Sequence, residues 1–142
     1  MQQGNIVNLH LARVKETPSD PVQEITALSG KGLEGDRSCG EANVRQVLLI
    51  DRETLDQLDL KPGQIKENIT TTGLDLSQAQ AGQVLFIGDG VTMEIVGPCK
   101  PCGKMDAIRP GLREGIDGRR GILAMVINGG PIKAGDSIRV EP

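Results

Sequence analysis

The hydrophobic residues of this chain fall into short runs that are separated by glycines and prolines. Apolar and polar positions alternate from Val7 within 6–13, which predicts a strand, and 22–28 predicts a second short strand beyond Pro18 and Pro21. Further extended segments are predicted at 44–50, 65–72, 84–87, 91–96, 122–127 and 137–140. The pattern therefore favours a chain built mainly from β-strands.

Turn and capping residues between these runs define the remaining elements. Gly88-Asp89-Gly90 lies between two β-runs, a setting that predicts a hairpin. Asp51 is placed to cap a helix over 52–58, and a second helical segment over 104–114 is interrupted at Pro110-Gly111. About seven or eight strands with one or two short helices indicate a mainly β fold, a closed or partly closed barrel.

The composition limits the core and the partners. The chain has 142 residues and no linker divides it, so residues 1–142 are predicted to form a single domain. With one Phe and neither Trp nor Tyr, the core must be aliphatic. A net charge of −3 and the lack of aromatic stacking residues argue against nucleic-acid binding.

Sequence features that direct a protein to a membrane or out of the cell are missing from these residues. No run approaches the roughly 18–20 apolar residues that span a bilayer. The first residues lack the basic and apolar regions of a secretory signal. With only three cysteines, a disulfide framework is not predicted, and a cytoplasmic location without membrane contact is expected.

The segment Gly97–Lys104 carries two thiols, Cys99 and Cys102, among two prolines and two lysines. Proline disfavours helix interiors and central strands, so the segment is predicted to be a stiff loop. A nearby cation favours the thiolate form, which attacks electrophiles and binds metals. The loop also opens the basic stretch Lys100–Arg120, which has six basic and three acidic residues. This stretch indicates either a pocket for an anion or a solvated basic segment.

A zinc site is an alternative use of the same thiols. His10, Cys39, Cys99 and Cys102 supply the four ligands of a structural zinc site, although only one pair has ligand spacing. On this hypothesis the chain is a non-catalytic module that binds metal or sulfur and acts on a partner enzyme. His10 itself alternates out of an apolar strand and is predicted to lie at the surface.

Several segments together resemble the MOSC domain, the module found at the C-terminus of molybdenum cofactor sulfurases and as free-standing small proteins. The matching segments are 32–37 (Gly-Leu-Glu-Gly-Asp-Arg), 45–49, 62–70, 73–76, 97–104, 118–121 (Gly-Arg-Arg-Gly) and 135–136. Their order and spacing cover nearly the whole chain. The resemblance implies a β-barrel of the type also seen in a pyruvate kinase domain.

The resemblance also implies a function and a central residue. The family's hallmark cysteine corresponds by position to Cys102, in the context Pro-Cys-x-Lys. Family members handle sulfur or bind the molybdenum–pterin cofactor (molybdopterin), and some use it to reduce N-hydroxylated compounds. Cys102 is thus expected to be a thiolate that ligates molybdenum or carries sulfur as a persulfide. Cys99 either resolves a persulfide or sulfenate on Cys102 or merely lies beside it.

A sulfur-donating enzyme or a molybdenum enzyme is an expected partner. Cofactor sulfurases extract sulfur from cysteine with a separate pyridoxal-phosphate domain, for which 142 residues leave no room. An association with pyridoxal phosphate is therefore implied only by the family resemblance and not by a site in this chain.

The remaining candidate cofactor contacts are cationic or hydrogen-bonding side chains in the matching segments. They are Asp36, Arg45, Glu67, Asn68, Lys104, Arg119 and Arg120. The forked donors of the arginines suit a phosphate or carboxylate, unless these are ordinary surface residues. Glu67 and Asn68 are expected to orient a pterin or to pin their loop, and Asp36 to cap a loop.

The chain departs from the family pattern at Ser38. Free-standing members often carry histidine two residues after the Asp of the Gly-Asp motif, whereas here Ser38 and then Cys39 follow Asp36. The missing imidazole removes an acid–base or ligand group from that end of the site.

Overall fold

A computed structural model describes residues 2–15, 17–41 and 43–141 of the chain. The strands are β1 (Gln2–Leu11), β2 (Asp20–Val22), β3 (Glu24–Leu28), β4 (Gly32–Leu33), β5 (Val47–Asp51), β6 (Ile69–Thr72), β7 (Val84–Ile87), β8 (Val91–Pro98), β9 (Ile122–Asn128), β10 (Gly130–Lys133) and β11 (Ser137–Glu141). The helices are α1 (Arg52–Gln57), α2 (Gly103–Ile108) and α3 (Leu112–Gly115), with a 3₁₀ turn at Leu76–Gln78. Among the described residues, no helix is long and apolar enough to cross a membrane.

Seven strands close into a barrel in the order β1, β11, β7, β8, β9, β5, β6 and back to β1. β1 closes the barrel because its first residues pair with β11 and its later residues pair with β6, across a bulge between Ile6 and Asn8. The β5–β6 pair is parallel, and the other described pairs of the barrel are antiparallel. The predicted mainly β, closed barrel is confirmed.

The short helices form where the sequence predicts them. The carboxylate of Asp51 accepts a hydrogen bond from the Thr54 N–H at 3.1 Å and so caps α1. The helical segment after the thiol loop is two helices, α2 and α3, because Pro110 and Gly111 separate them and Gly111 has a φ of +87°. The described residues therefore form three short α-helices, one more than the one or two that the sequence predicts.

A second sheet of three strands, β10–β3–β4, was not predicted in full. β4 has two residues, and β10 contains Pro131, so neither has a strong strand signal of its own. The predicted extended segment 65–72 also pairs only over Ile69–Thr72. Lys66 before it has a φ of +67°, which ends extended structure there.

The aliphatic core is divided into two clusters by β5. Leu49 belongs to the cluster that fills the barrel, whereas Ile50 belongs to a second cluster with residues of all three α-helices. Consecutive strand residues face opposite sides of a sheet, so the helices pack on the outer face of β5. The thiol loop leads from β8 into α2, which is one of these packed helices.

Candidate functional site

A cavity of about 360 Å³ collects several of the predicted site residues. Its volume lies within the roughly 300–1,000 Å³ typical of small-molecule sites. Its lining is Ala12, Asp36, Arg37, Ser38, Asn43, Arg45, Leu48, Lys66, Asn68, Cys99, Arg120 and Leu123. Four of these side chains are basic and one is acidic, although the whole chain is net negative. The cavity therefore presents a locally positive field that favours an anion.

Asp36 lines the cavity, and hydrogen bonds from other parts of the chain hold its carboxylate in place. Its Oδ1 accepts the Ala12 N–H at 2.8 Å and a hydrogen bond from the Asn68 amide at 3.0 Å. Its Oδ2 accepts the Ser38 N–H at 3.0 Å. Asp36 is thus the loop-capping carboxylate that the sequence indicates, and both of its oxygens are occupied by the chain.

Asn68 connects three segments of the chain beside Asp36. Its Oδ1 accepts the Leu48 N–H at 3.0 Å, and its Nδ2 donates to the His10 carbonyl at 3.2 Å as well as to Asp36. Asn68 is 5% exposed, so these hydrogen bonds are formed away from water. The side chain ties β1, β5 and the Asp36 loop together and gives the cavity a fixed wall.

Cys99 places a sulfur in the cavity wall. It is 7% exposed, and its N–H donates to the Gly121 carbonyl at 2.9 Å, which fixes its backbone after β8. The Arg45 guanidinium donates from Nη2 to the Cys99 Sγ at 3.8 Å. This contact places a cationic hydrogen-bond donor next to the Cys99 sulfur.

Cys102 lies outside the lining of this cavity as described. It is exposed at the N-cap of α2, where its side chain makes no capping hydrogen bond. Lys104, also exposed, lies in the first turn of α2. The loop thus places one thiol in the cavity wall and the other at the surface.

Arg120 is a buried cation whose guanidinium is only partly hydrogen-bonded. It is 8% exposed, its Nη2 donates to the Ile65 carbonyl at 2.8 Å, and its Nη1 has no hydrogen-bond partner among the residues that the structure describes. Burial lowers the pKa of Arg120, and the carboxylate charge of Glu67 opposes that shift. A guanidinium keeps its proton in proteins, so this group is a permanent positive charge in the cavity wall.

The neighbouring Arg119 points to a different part of the molecule. It is exposed, and it donates to the Gln57 side chain at 3.3 Å and to the Gly115 carbonyl at 2.9 Å. It borders a smaller cavity of about 90 Å³ that includes Asp51 and Thr54. Of the two adjacent arginines, the structure brings Arg120 to the larger cavity.

Glu67 lies behind the cavity and is fully buried. Its Oε2 accepts hydrogen bonds from the Gly63 N–H at 2.8 Å and the Thr70 hydroxyl at 3.4 Å, and its Oε1 has no partner within the described part of the chain. Burial raises the pKa of Glu67, while the Gly63 hydrogen bond and the charge of Arg120 oppose the rise. Glu67 is absent from the described lining of the cavity, so its effect on a ligand must pass through a neighbour.

The prediction that His10 lies at the surface is wrong. His10 is 6% exposed, and burial lowers its pKa. Residues 9–12 are all buried, because this end of β1 is covered on both faces and alternation no longer separates inside from outside. The ring packs against Gly63, where a Cβ would lie 2.7 Å from two ring atoms.

Three polar residues of the described lining were not predicted from the sequence: Arg37, Asn43 and Lys66. Arg37 follows Asp36 and Lys66 precedes Glu67, so their adjacency to predicted residues was the available signal. Ser38, at the position where histidine is often found, lines the cavity, whereas half-buried Cys39 is not in the described lining.

The structure does not favour the zinc alternative. Within the residues described, no group of three or more His, Cys, Asp or Glu side chains is placed to hold a metal ion. A structural zinc site needs four such ligands.

Replacing Gly121 with alanine is expected to destabilise the protein more than the same change at Gly118. Gly121 has a φ of +100°, and its Cβ would lie 2.5 Å from the Leu49 carbonyl oxygen. Gly118 has a φ of +81°, but its Cβ would meet no described atom within 4 Å. Both variants carry backbone strain of about 1–3 kcal/mol, and only Gly121→Ala adds a backbone clash. Urea unfolding measures the free energy of unfolding of both variants. Equal losses of stability in the two variants would contradict the expectation.

Comparison with known proteins gives a family match and several structural neighbours. Residues 36–139 match the family model of the MOSC domain. The fold is similar to YuaD from Bacillus subtilis, with a TM-score of 0.81 and 20% identity over 97% of this chain and 95% of that one. It is also similar to YiiM from Geobacillus stearothermophilus, with a TM-score of 0.78 and 19% identity over 98% of this chain and 75% of that one.

YiiM from Escherichia coli is a further structural neighbour, with a TM-score of 0.74 and 19% identity over 100% of this chain and 71% of that one. At such identities these likenesses show the shared fold. No curated protein matches the chain.

Proposed function

The chain belongs to the MOSC domain family, and we propose that its basic cavity binds an anionic molybdenum–pterin cofactor beside a functional thiol. Cys102, which lies at the surface and outside the described lining of this cavity, would act as the thiolate that ligates molybdenum or carries sulfur as a persulfide. The observation that supports this most is the buried guanidinium of Arg120, a residue of the cavity lining whose Nη1 has no hydrogen-bond partner among the described residues. A buried donor without an acceptor is costly, and an anionic ligand would satisfy it.

The basic side chains of the cavity suit the phosphate of such a cofactor. Arg120 contributes a fixed buried donor, and Arg45 contributes a second guanidinium next to Cys99. Arg37 and Lys66 add two further positive charges to the lining. Phosphate oxygens accept forked hydrogen bonds from guanidinium groups, so the residues present fit the anionic part of the cofactor.

The thiols suit the soft metal. Thiolate sulfur is a preferred ligand of soft or sulfur-rich metal centres. Cys102 is open to solvent at the start of α2, and Cys99 supplies a second sulfur in the cavity wall. When bound, the cofactor would supply redox chemistry at molybdenum, as in the family members that reduce N-hydroxylated compounds.

The pterin would lie against a cavity wall whose polar side chains mostly form hydrogen bonds within the chain already. Asp36 and Asn68 hydrogen-bond to backbone groups and to each other. Their contribution would be to keep the cavity in shape, because few of their hydrogen-bonding positions remain open. Lys104 and Arg119 stay predicted contacts that this cavity does not include among its described residues.

Sulfur transfer to or from a partner is a second candidate use of the same site. The exposure of Cys102 favours it, because a thiol at the surface can be reached by the thiol or persulfide of another protein. The partner would be a sulfur-donating enzyme or a molybdenum enzyme. Association with pyridoxal phosphate stays a prediction from the family, since it rests on no residue of the cavity.

Anaerobic purification followed by elemental analysis and intact-mass measurement tests the proposal. Molybdenum together with a pterin is expected for cofactor binding. A mass increase of one sulfur atom that a thiol reductant removes is expected for sulfur carriage. Stoichiometric zinc, or an empty protein that neither binds oxyanions nor accepts sulfur, would contradict both uses.

Replacing Arg120 with glutamine is expected to weaken binding of a sulfate probe by about 10- to 100-fold. A hydrogen bond to a charged group contributes about 1.5–3 kcal/mol, and each 1.4 kcal/mol changes affinity about tenfold. NMR titration that follows the backbone amides of Cys99 and Gly121 would measure the change.

Arg119→Gln is the matched control, because it removes the same charge one position away at an exposed site. Its effect on sulfate affinity is expected to be slight. Equal losses in the two variants would show that general surface charge, and not the buried guanidinium, attracts the anion.

A further inference from the structure

We infer that Glu67 couples anion binding in the cavity to the uptake of a proton by its own carboxylate. The inference rests on the proposed function, because it requires an anion beside Arg120. Glu67 is not part of the described cavity lining. It is therefore a positioning residue that acts on the ligand through Arg120.

Glu67 and Arg120 are two buried ionisable side chains that form no ion pair with each other among the described residues. Glu67 is 0% and Arg120 is 8% exposed. Glu67 is held through Oε2 by the Gly63 N–H, and Arg120 is held through Nη2 by the Ile65 carbonyl, each at 2.8 Å. The second terminal atoms, Glu67 Oε1 and Arg120 Nη1, have no hydrogen-bond partner in residues 2–15, 17–41 and 43–141. Each side chain is thus anchored to backbone, and each influences the pKa of the other.

The surroundings of Glu67 contain few other groups that respond to pH. The Thr70 hydroxyl of β6 and the Gly63 N–H donate to Oε2, and Arg120 comes from the segment before β9. Among the described residues, Arg120 provides the charge that acts on Glu67. His10 of β1 lies across Gly63, and burial lowers its pKa, so its ring is neutral at neutral pH.

An anion bound beside Arg120 changes the pKa of Glu67. In the free protein the charge of Arg120 favours the ionised carboxylate, while burial disfavours it. An anion at Nη1 offsets the charge of Arg120 and repels the carboxylate, so the pKa of Glu67 rises further. At a pH between the pKa of Glu67 in the free protein and its higher pKa in the anion complex, anion binding causes the Glu67 carboxylate to take up a proton from solvent. By linkage the anion must then bind more tightly as the pH falls.

Isothermal titration calorimetry with sulfate tests the coupling, because the charge of sulfate is constant near neutral pH. Titrations from about pH 5 to 8 in buffers with different ionisation heats count the protons taken up. For the unmodified protein we expect uptake of up to one proton and an affinity that falls by up to about tenfold per pH unit. Glu67→Gln keeps an oxygen for the Gly63 N–H and is expected to bind sulfate with neither proton uptake nor this slope.

The outcomes separate the inference from the proposed function. Sulfate binding without proton uptake, or an unchanged slope in Glu67→Gln, would overturn the coupling and leave the anion site standing. If sulfate does not bind, or binds Arg120→Gln equally well, the proposed function fails and the coupling fails with it.

Unfolding of the unmodified protein gives a second test that needs no variant at Glu67. A carboxyl whose pKa is raised in the folded state makes stability fall as the pH rises above its ordinary value of 4.5, until its folded-state pKa is passed. Saturating sulfate is expected to extend this fall to higher pH. If the pH dependence of the urea midpoint is the same with and without sulfate, the coupling is absent.

Discussion

Replacing Cys102 with alanine is expected to abolish the molybdenum or persulfide sulfur that the protein carries after anaerobic purification. Cys102 is exposed at the start of α2, where its side chain makes no capping hydrogen bond. An exposed thiol near cations is accessible to a sulfur donor or metal, and its thiolate is the reactive form. Elemental analysis and intact mass measure the loss directly.

Two other cysteine variants serve as matched controls for Cys102→Ala. Cys99→Ala removes the sulfur that accepts the Arg45 donor, so a several-fold weaker retention of the same load is expected. Cys39 is half-buried and outside the described cavity lining, so Cys39→Ala is expected to leave the load unchanged. If Cys99→Ala abolishes the load while Cys102→Ala retains it, the buried thiol is the functional one and the prediction is wrong.

Asn68→Ala is expected to lower the free energy of unfolding by about 3 kcal/mol. The change leaves the Leu48 N–H, the His10 carbonyl and the Asp36 Oδ1 without their side-chain partner. A buried polar group that loses its partner costs roughly 1–3 kcal/mol, and Asp36 keeps a second donor, so the total lies below the simple sum. Urea unfolding followed by circular dichroism measures the loss.

Asn128→Ala is the control for loss of an asparagine side chain, because Asn128 is exposed at the end of β9. Surface changes of this kind usually stay within about 0.5 kcal/mol. A loss at Asn68 no larger than that at Asn128 would show that the hydrogen bonds around the cavity wall do not hold the barrel together.

The elements that could be predicted are those that depend on neighbours along the chain. The hairpin at Gly88-Asp89-Gly90 and the cap at Asp51 need only residues within a few positions. The break at Pro110-Gly111 is equally local. In contrast, β4 has two residues and exists because β3 offers it a partner, so no local signal could reveal it.

The candidate site likewise has features that the sequence predicts and features that depend on the tertiary structure. The sequence indicated a basic segment, a pair of thiols and a family frame, and the frame is confirmed by the MOSC match. Asp36, Arg45, Asn68, Cys99 and Arg120 do meet in one cavity. The barrel fold brings residues more than 80 positions apart to one cavity, as with Asp36 and Arg120 in the same lining.

By itself, then, the sequence determined the mainly β architecture, the aliphatic core and the residue types of the site, because alternation, turn chemistry and composition act locally. Only the tertiary structure decided which member of each neighbouring pair faces the cavity. Arg120 is buried where Arg119 is exposed, and Cys99 is buried where Cys102 is exposed. Adjacent or nearby side chains carry the same chemical signal, and their burial depends on backbone direction and on the elements that pack against them.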